Sequence, residues 1–194
     1  MIGVVRAERF VLRPFEEGDR AEYVRMHEVS AEHFRPWFPA PDGHRSIEDR
    51  FEEEVARARQ GLEAGTEVRL AAFDAEGVLL GTFSLSQIFR RAFLNAYAGW
   101  AVSAEHVGRG IATEGVTALL DLAFAPEPLG LGLHRVQANI IPSNGASVRV
   151  AEKAGFRLEG RAKEYLQIDG RWQDHLMYAK LADEHRQRFP MPVS

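Results

Sequence analysis

The chain predicts a mixed α+β domain in which helices pack on a mostly antiparallel sheet of about six or seven strands. Three observations predict it. Apolar residues alternate with period two in some stretches and recur about every 3.6 residues in others. The resulting order is strand, two helices, three antiparallel strands, helix, strand, helix, then two strands. Two glycines, Gly108 and Gly110, stand where a strand runs directly into a helix. Finally, 194 residues with 45% hydrophobic and 27% charged side chains suit a soluble globular protein with one sizeable core.

Each element has a local reason. Residues Phe10 to Pro14 read as a short strand. Asp19 reads as an N-cap, with Glu22 three positions on completing a capping box, so a helix is expected from about Arg20 to Val29. Ala31 to Gly43, carrying Trp37, Phe38 and three prolines, reads as an irregular apolar loop. Ser46 and Asp49 form a second capping box, opening a helix that runs to about Glu63 and stops at Gly65. Val68 to Phe73 and Val78 to Leu85 are strands joined by the turn Asp74-Ala-Glu-Gly77. Phe93 to Val102 is a further strand after the Arg90-Arg91 turn. Ala112, Val116, Leu119, Leu120 and Ala123 have helical spacing over Ile111 to Phe124, and Pro126 and Pro128 close that helix. His134 to Ile141 is a strand; Asn144 then caps a helix from Gly145 to Ala154 that Gly155 ends. Phe156 to Leu166 and His175 to Leu181 are the last strands, linked through Ile168-Asp-Gly170. Residues 1–181 form one domain, and 182–194 read as a polar, mobile tail.

Composition excludes several functions. The net charge of −4 gives no global basic field for nucleic acid. There is no cysteine, which removes disulfides, thiolate metal sites and a cysteine nucleophile. The scattered histidines show no metal-ligand spacing. No secretory signal and no membrane-spanning window is visible, so a cytoplasmic enzyme is expected, with neither membrane nor nucleic acid among its partners.

The glycine pair carries the chemistry. A helix that starts at a glycine turn presents unpaired backbone N–H groups and the positive end of its dipole. That is a cradle for phosphate or pyrophosphate, and Arg109 adds a formal charge beside it. A P-loop is excluded because no Gly-Lys pair occurs. A dinucleotide fingerprint is half present, but Thr113 stands where its third glycine belongs. A glycine turn that binds nothing is the bland alternative.

Val107-Gly-Arg-Gly-Ile-Ala112 also resembles the acyl-CoA loop of the GNAT N-acetyltransferases, with Val107 in place of the usual polar residue. The element order is that of the GNAT fold, whose fourth and fifth strands splay apart. Further stretches resemble the RimJ/RimL-type ribosomal-protein N-terminal acetyltransferases: Leu12-Arg13-Pro14, Leu133-His-Arg-Val136, Asn139-Ile-Ile-Pro-Ser-Asn144, Glu152-Lys-Ala-Gly-Phe156 and Glu164-Tyr-Leu-Gln-Ile-Asp-Gly-Arg-Trp-Gln-Asp-His175. The last block is the most specific and looks closest to the alanine-acetylating type.

The resemblance implies acetyl-CoA as cofactor and direct attack by an amine. It implies a cofactor site from Trp100, Ala101, Val102, Val107, Gly108, Arg109, Gly110, Ile111, Ala112, Thr113, Asn139, Asn144 and Ser147. Ser147 would give a proton to the departing thiolate, and Glu164 would be the general base, through a water. Phe34, Trp37, Tyr97 and Tyr165 would line the amine side. For Asn144 a plain helix cap is the competing role, and for Ser147 and Glu164 a solvated surface position. Asp174 and His175 tempt one towards a dyad, but neighbours on a strand point to opposite faces. The expected substrate is a protein N-terminus, a ribosomal protein's in particular. A small amine, or a non-catalytic acyl-CoA-binding module, is the alternative, and a homodimer is an open option.

Overall fold

The computed structural model describes residues 4–39 and 45–188; the expected loop residues Ala40 to Gly43 and the end of the tail, Phe189 to Ser194, lie outside them. The strands are β1 (Val5–Arg6), β2 (Val11–Arg13), β3 (Val68–Phe73), β4 (Leu79–Phe89), β5 (Asn95–Val102), β6 (Arg135–Ile140), β7 (Arg157–Ile168) and β8 (Arg171–Leu181). They form one sheet in the order β1-β2-β3-β4-β5-β6-β8-β7. The two-residue β1 is the strand that sequence periodicity did not reveal, being too short to show a period. The helices are α1 (Arg20–Val29), α2 (Ala31–Phe34), α3 (Ile47–Ala64), α4 (Ile111–Phe124), α5 (Gly145–Ala154) and α6 (Ala182–Arg188).

Both faces of the sheet are covered, and strand alternation sorts the side chains between them. On β3, Leu70 and Ala72 join the larger core with Val116, Leu119, Leu120 and Ala123 of α4 and Ala151 and Ala154 of α5. Ala71 and Phe73 point the other way, into a second core with Phe15, Tyr23, Met26 and Phe51 under α1 and α3. Burying each of the larger side chains contributes roughly 1.5–3 kcal/mol. α4 lies close on the sheet at Gly115, where a Cβ would come within 2.2 Å of the Phe83 ring.

Capping agrees with expectation at Ser46 and Asp49, which bond each other's backbone N–H at 3.0 and 3.1 Å. It differs at Asp19. Its carboxylate is held by Arg13 at 2.7 and 2.8 Å and by the Glu16 N–H, so Asp19 closes the 3-10 turn before α1 and leaves Glu22 free for other work. Glu22 instead accepts from Arg25 and from the Leu79 N–H at 2.9 Å, tying α1 to β4. The loop after α1 is not wholly irregular: its first four residues form α2. The polar tail also begins ordered. α6 docks through Ala182 and His185, 5% and 1% exposed, with His185 Nε2 2.6 Å from Asp121 Oδ1 of α4.

Among the described residues β5 and β6 are the one parallel pair of the sheet. They pair only at Asn95, Ala96 and Tyr97, opposite Arg135, Val136 and Gln137. Beyond Tyr97 the two strands part, as the splayed fourth and fifth strands of the expected fold require, and a cleft opens between them.

Candidate active site

The cleft encloses about 700 Å³, within the usual range for a small-molecule site. Its walls come from the free end of β5 (Ala98 to Val102), the turn and first residues of α4, the end of β6, the start of α5, and the aromatic residues after α1.

The α4 end is built to be open. Gly108 and Gly110 have φ of +75° and +82°, a region an L side chain enters only at a cost. Gly110 stands at the N-cap, so no side chain occupies the first amides of α4. The α5 end is closed by contrast. Asn144 Oδ1 accepts from the Ser147 N–H at 3.0 Å, so the asparagine is a true helix cap while also forming part of the cleft wall. An anion therefore has free amides to meet at α4, whereas at α5 the Ser147 N–H is already taken by the cap.

Most residues expected at the cofactor site come together. Trp100, Ala101, Val102, Val107, Gly108, Gly110, Ile111, Ala112, Thr113, Asn139, Asn144 and Ser147 all line the cleft. Arg109 is exposed at the tip of the turn, outside the wall, and its carbonyl accepts from Arg9 at 2.8 Å. On the amine side, Phe34 and Trp37 line the cleft with Phe38. Tyr97 and Tyr165, expected there too, are not among the lining residues; Tyr165 on β7 instead backs Asn139, its hydroxyl accepting from Asn139 Nδ2 at 2.8 Å. Burial, reinforced by Tyr97 close by, pushes the Tyr165 phenol up, against the opposing effect of the Asn139 bond, so it stays neutral at physiological pH.

Glu164 sits elsewhere. β7 bulges between Ala162 and Leu166, and Glu164 lies in that bulge with φ +46°, exposed and outside the cleft wall. The Asp174 carboxylate holds the bulge: it accepts the Glu164 N–H at 2.9 Å and pairs with Arg161 at 2.7 Å. Those contacts, the Glu164 N–H first, hold Asp174 below the usual carboxylate range. His175 faces away from Asp174's contacts, buried against the cleft with its ring on Tyr165.

Several residues at the site had not been singled out from sequence. Arg9 bonds Glu114 of α4 and the carbonyl of Arg109, clamping the glycine turn from the far end of the chain. Nothing local in the sequence announces a contact between residues 105 apart. Arg149 and Lys153 add positive charge to the wall along α5; their spacing of four, in register with Gly145 at the helix start, was a legible signal. His106 lines the cleft with Nε2 buried and without a partner. Among the described residues no group of three or more His, Cys, Asp or Glu could hold a metal, and no helix is long and apolar enough to cross a membrane.

The acetyltransferase (GNAT) domain model matches residues 9–157, and the chain belongs to that family. It is 32% identical over 95% of its length, and all of the relative's, to the probable N-acetyltransferase YjcK of Bacillus subtilis. It is 26% identical over 89% of its length, and 87% of the relative's, to the ribosomal protein uS5-alanine N-acetyltransferase of Escherichia coli. A spermidine N(1)-acetyltransferase of Vibrio cholerae is 26% identical over 86% of this chain and 89% of its own. Among solved structures, RimJ of Mycobacterium smegmatis in complex with CoA-disulfide superposes with a TM-score of 0.83 at 28% identity, covering 97% of this chain and 88% of that one. The protein is therefore an acetyl-CoA-dependent N-acetyltransferase of the GNAT type.

Proposed function

We propose that the chain acetylates the N-terminal amine of a protein in the cytoplasm, a ribosomal protein being the first candidate. One observation carries the substrate half. Among the described residues lining the cleft there is no Asp or Glu, while Arg149 and Lys153 are both present. A polyamine carries several positive charges and wants carboxylates along its groove. A peptide end brings one amine and an uncharged backbone, and Phe34, Trp37 and Phe38 offer an apolar wall for its first side chains. The uS5-alanine relative supports the same reading.

The open turn at Gly108 and Gly110 fits a pyrophosphate, since both the positive φ and the missing cap side chain leave amides free. Val107 through Thr113 would hold it, with Arg109, Arg149 and Lys153 adding charge. The unpaired edge of β5 from Trp100 to Val102 would hold the extended arm. Bound acetyl-CoA supplies the acetyl group as an activated thioester. The chain's own contribution is chiefly placement of the amine against it. Ser147 gives a proton to the departing sulfur. Glu164, at the exposed bulge beside Tyr165, passes the amine's proton on to solvent.

The test is mass spectrometry of a panel incubated with protein and acetyl-CoA: alanyl peptides with free and blocked N-termini, spermidine, and free amino acids. Acetylated free-terminus peptides are expected. Transfer to spermidine or amino acids with none to peptides would overturn the reading and favour the small-amine alternative, for which the spermidine-acetylating relative speaks.

A further inference from the structure

Two hydrogen-bond acceptors, Asn139 Oδ1 and His175 Nε2, belong to residues on one face of the sheet at the cleft, and neither accepts a hydrogen bond from the protein. Asn139 on β6 pairs with Met177 on β8, so His175, two residues earlier on β8, shares its face one diagonal step away. His175 is 4% exposed, and its ring forms part of the cleft wall. Its Nδ1 lies 3.1 Å from the Gln173 carbonyl. A carbonyl only accepts, so in the neutral ring Nδ1 carries the hydrogen and Nε2 keeps its lone pair. Tyr165 packs on the ring with centroids 5.2 Å apart. The same tyrosine accepts from Asn139 Nδ2, which turns Asn139 Oδ1 into the free end of the amide, buried and without a partner. A buried acceptor left unmatched is costly and calls for an explanation.

We propose that Asn139 Oδ1 and His175 Nε2 together receive the amine, and that His175 is the base that deprotonates it. The proposal rests on the acetyltransferase reading above. The amine arrives as an ammonium with three N–H donors, and this pocket offers acceptors where a donor-rich wall would repel it. Asn139 Oδ1 takes one N–H and fixes the nitrogen. His175 Nε2 removes one proton and becomes an imidazolium. The freed lone pair attacks the thioester carbonyl carbon, forming the C–N bond. The C–S bond then breaks with its electron pair leaving on sulfur, which takes a proton from the Ser147 hydroxyl to give the thiol, and a second proton from nitrogen returns to the Ser147 oxygen. The proton on His175 passes to solvent, restoring the neutral ring. Tyr165 acts through both partners: its hydroxyl orients Asn139 and its ring holds the imidazole, which makes it a positioning residue.

His175→Gln, His175→Ala, Asn139→Ala and Glu164→Gln are compared with wild type on a free alanyl peptide. His175→Gln should lower kcat by about 100-fold or more, the range for loss of a general base, with CoA affinity and melting temperature unchanged. Added imidazole should restore part of the turnover of His175→Ala. Asn139→Ala should raise KM for the peptide more than it lowers kcat. A readout independent of turnover is the Nε2 nitrogen resonance of His175 in the wild-type protein. It should shift on titration with the free alanyl peptide without acetyl-CoA, and not with the N-acetylated peptide. Wild-type kcat in His175→Gln, loss of turnover confined to Glu164→Gln, or an Nε2 resonance indifferent to the peptide would each overturn the proposal. Should the variants unfold, the resonance in the wild type decides. Failure of the acetyltransfer reading would show in the wild type itself; failure of the His175 role shows with wild-type turnover intact.

Discussion

Replacing Arg9 by alanine should weaken CoA binding about fivefold without changing kcat at saturating cofactor. Arg9 donates from Nε to Glu114 Oε2 at 2.7 Å, from Nη2 to the same carboxylate at 2.6 Å, and from Nη1 to the Arg109 carbonyl at 2.8 Å. These bonds fix the turn that carries Gly108 and Gly110 to the first turn of the helix it opens. Buried charge-assisted bonds of this kind contribute roughly 1.5–3 kcal/mol. Arg9 is 48% exposed, however, and Glu114 17%, so water screens the pair and about 1 kcal/mol is the reasonable figure. If that energy orders the cradle, its loss appears in Kd as a factor of about five, since about 1.4 kcal/mol is tenfold. The backbone N–H of residue 9 still reaches Glu114, so the fold should survive. Calorimetric titration with CoA at low salt is the assay, with Arg9→Lys, Glu114→Ala and the double variant alongside. Lysine keeps the charge and loses the fork, and should fall between wild type and alanine. The double variant should be no worse than the worse single one, because both remove the same clamp. Unchanged CoA affinity in Arg9→Ala with a lowered melting temperature would refute the reasoning, making the clamp a fold strut unrelated to the cofactor.

Three further outcomes are expected. Gly115→Ala should destabilise by about 1–3 kcal/mol or more, because the added carbon lands 2.2 Å from a ring that is only 1% exposed; thermal unfolding measures it, and Phe83→Leu should recover part of the loss. Ser147→Ala should lower kcat by at least about tenfold while leaving CoA affinity and stability alone, since Asn144 caps the backbone N–H that alanine retains; equal turnover would reduce Ser147 to scaffold. Burial pushes the His27 imidazole below its ordinary value, against the Tyr23 carbonyl that would raise it. The folded state therefore binds fewer protons than the unfolded one. Stability is intact above an unfolded value of about 6.5 and is lost as pH falls from there through the lower folded value, by at most about 1.4 kcal/mol per pH unit. Urea titrations from pH 7.5 to 5 should show that slope, and His27→Gln should flatten it.

Sequence alone carried the scaffold further than the site. α4 and α5 were legible to the residue because each has a clear start or stop, Gly110 before one and Asn144 and Gly155 around the other, whereas α1 lies where expected although the Asp19–Glu22 box that announced it does not form. β1 was too short to carry a period, and α6 was hidden by its polar composition, since one buried histidine and one alanine dock it. The same contrast holds at the cleft. Its glycine turn and α5 cap are local features, written in consecutive residues. Arg9 on Glu114 joins a loop to a helix far along the chain, and Tyr165 on Asn139 and His175 under Tyr165 are set by strand pairing, none of them by any spacing in the chain. Asp174 shows how a local rule can be right and still incomplete. Alternation kept it from pairing with His175, yet nothing in alternation foretells that its carboxylate would hold the Glu164 bulge.

That bulge bears on how the two halves of the site stay independent. β7 gives three residues, Lys163, Glu164 and Tyr165, to the single residue Asp174 on β8 before Leu166 meets Gln173. The two extra residues are an even number, so alternation resumes at Leu166 in its old phase, and the positive φ of Glu164 marks where the chain leaves the ladder in between. Tyr165 then turns to Asn139 and His175, while Glu164 turns to solvent. The cofactor-side cradle, in contrast, depends on the α4 turn and its Arg9 clamp, which share no residue with the hairpin. Alterations at the two places should therefore act separately: Asp174→Asn on KM for the amine, Arg9→Ala on Kd for CoA, and the double variant as the sum of both in free energy. Strong coupling between them would mean that the hairpin and the cradle move as one unit, and the division of labour drawn here would be wrong.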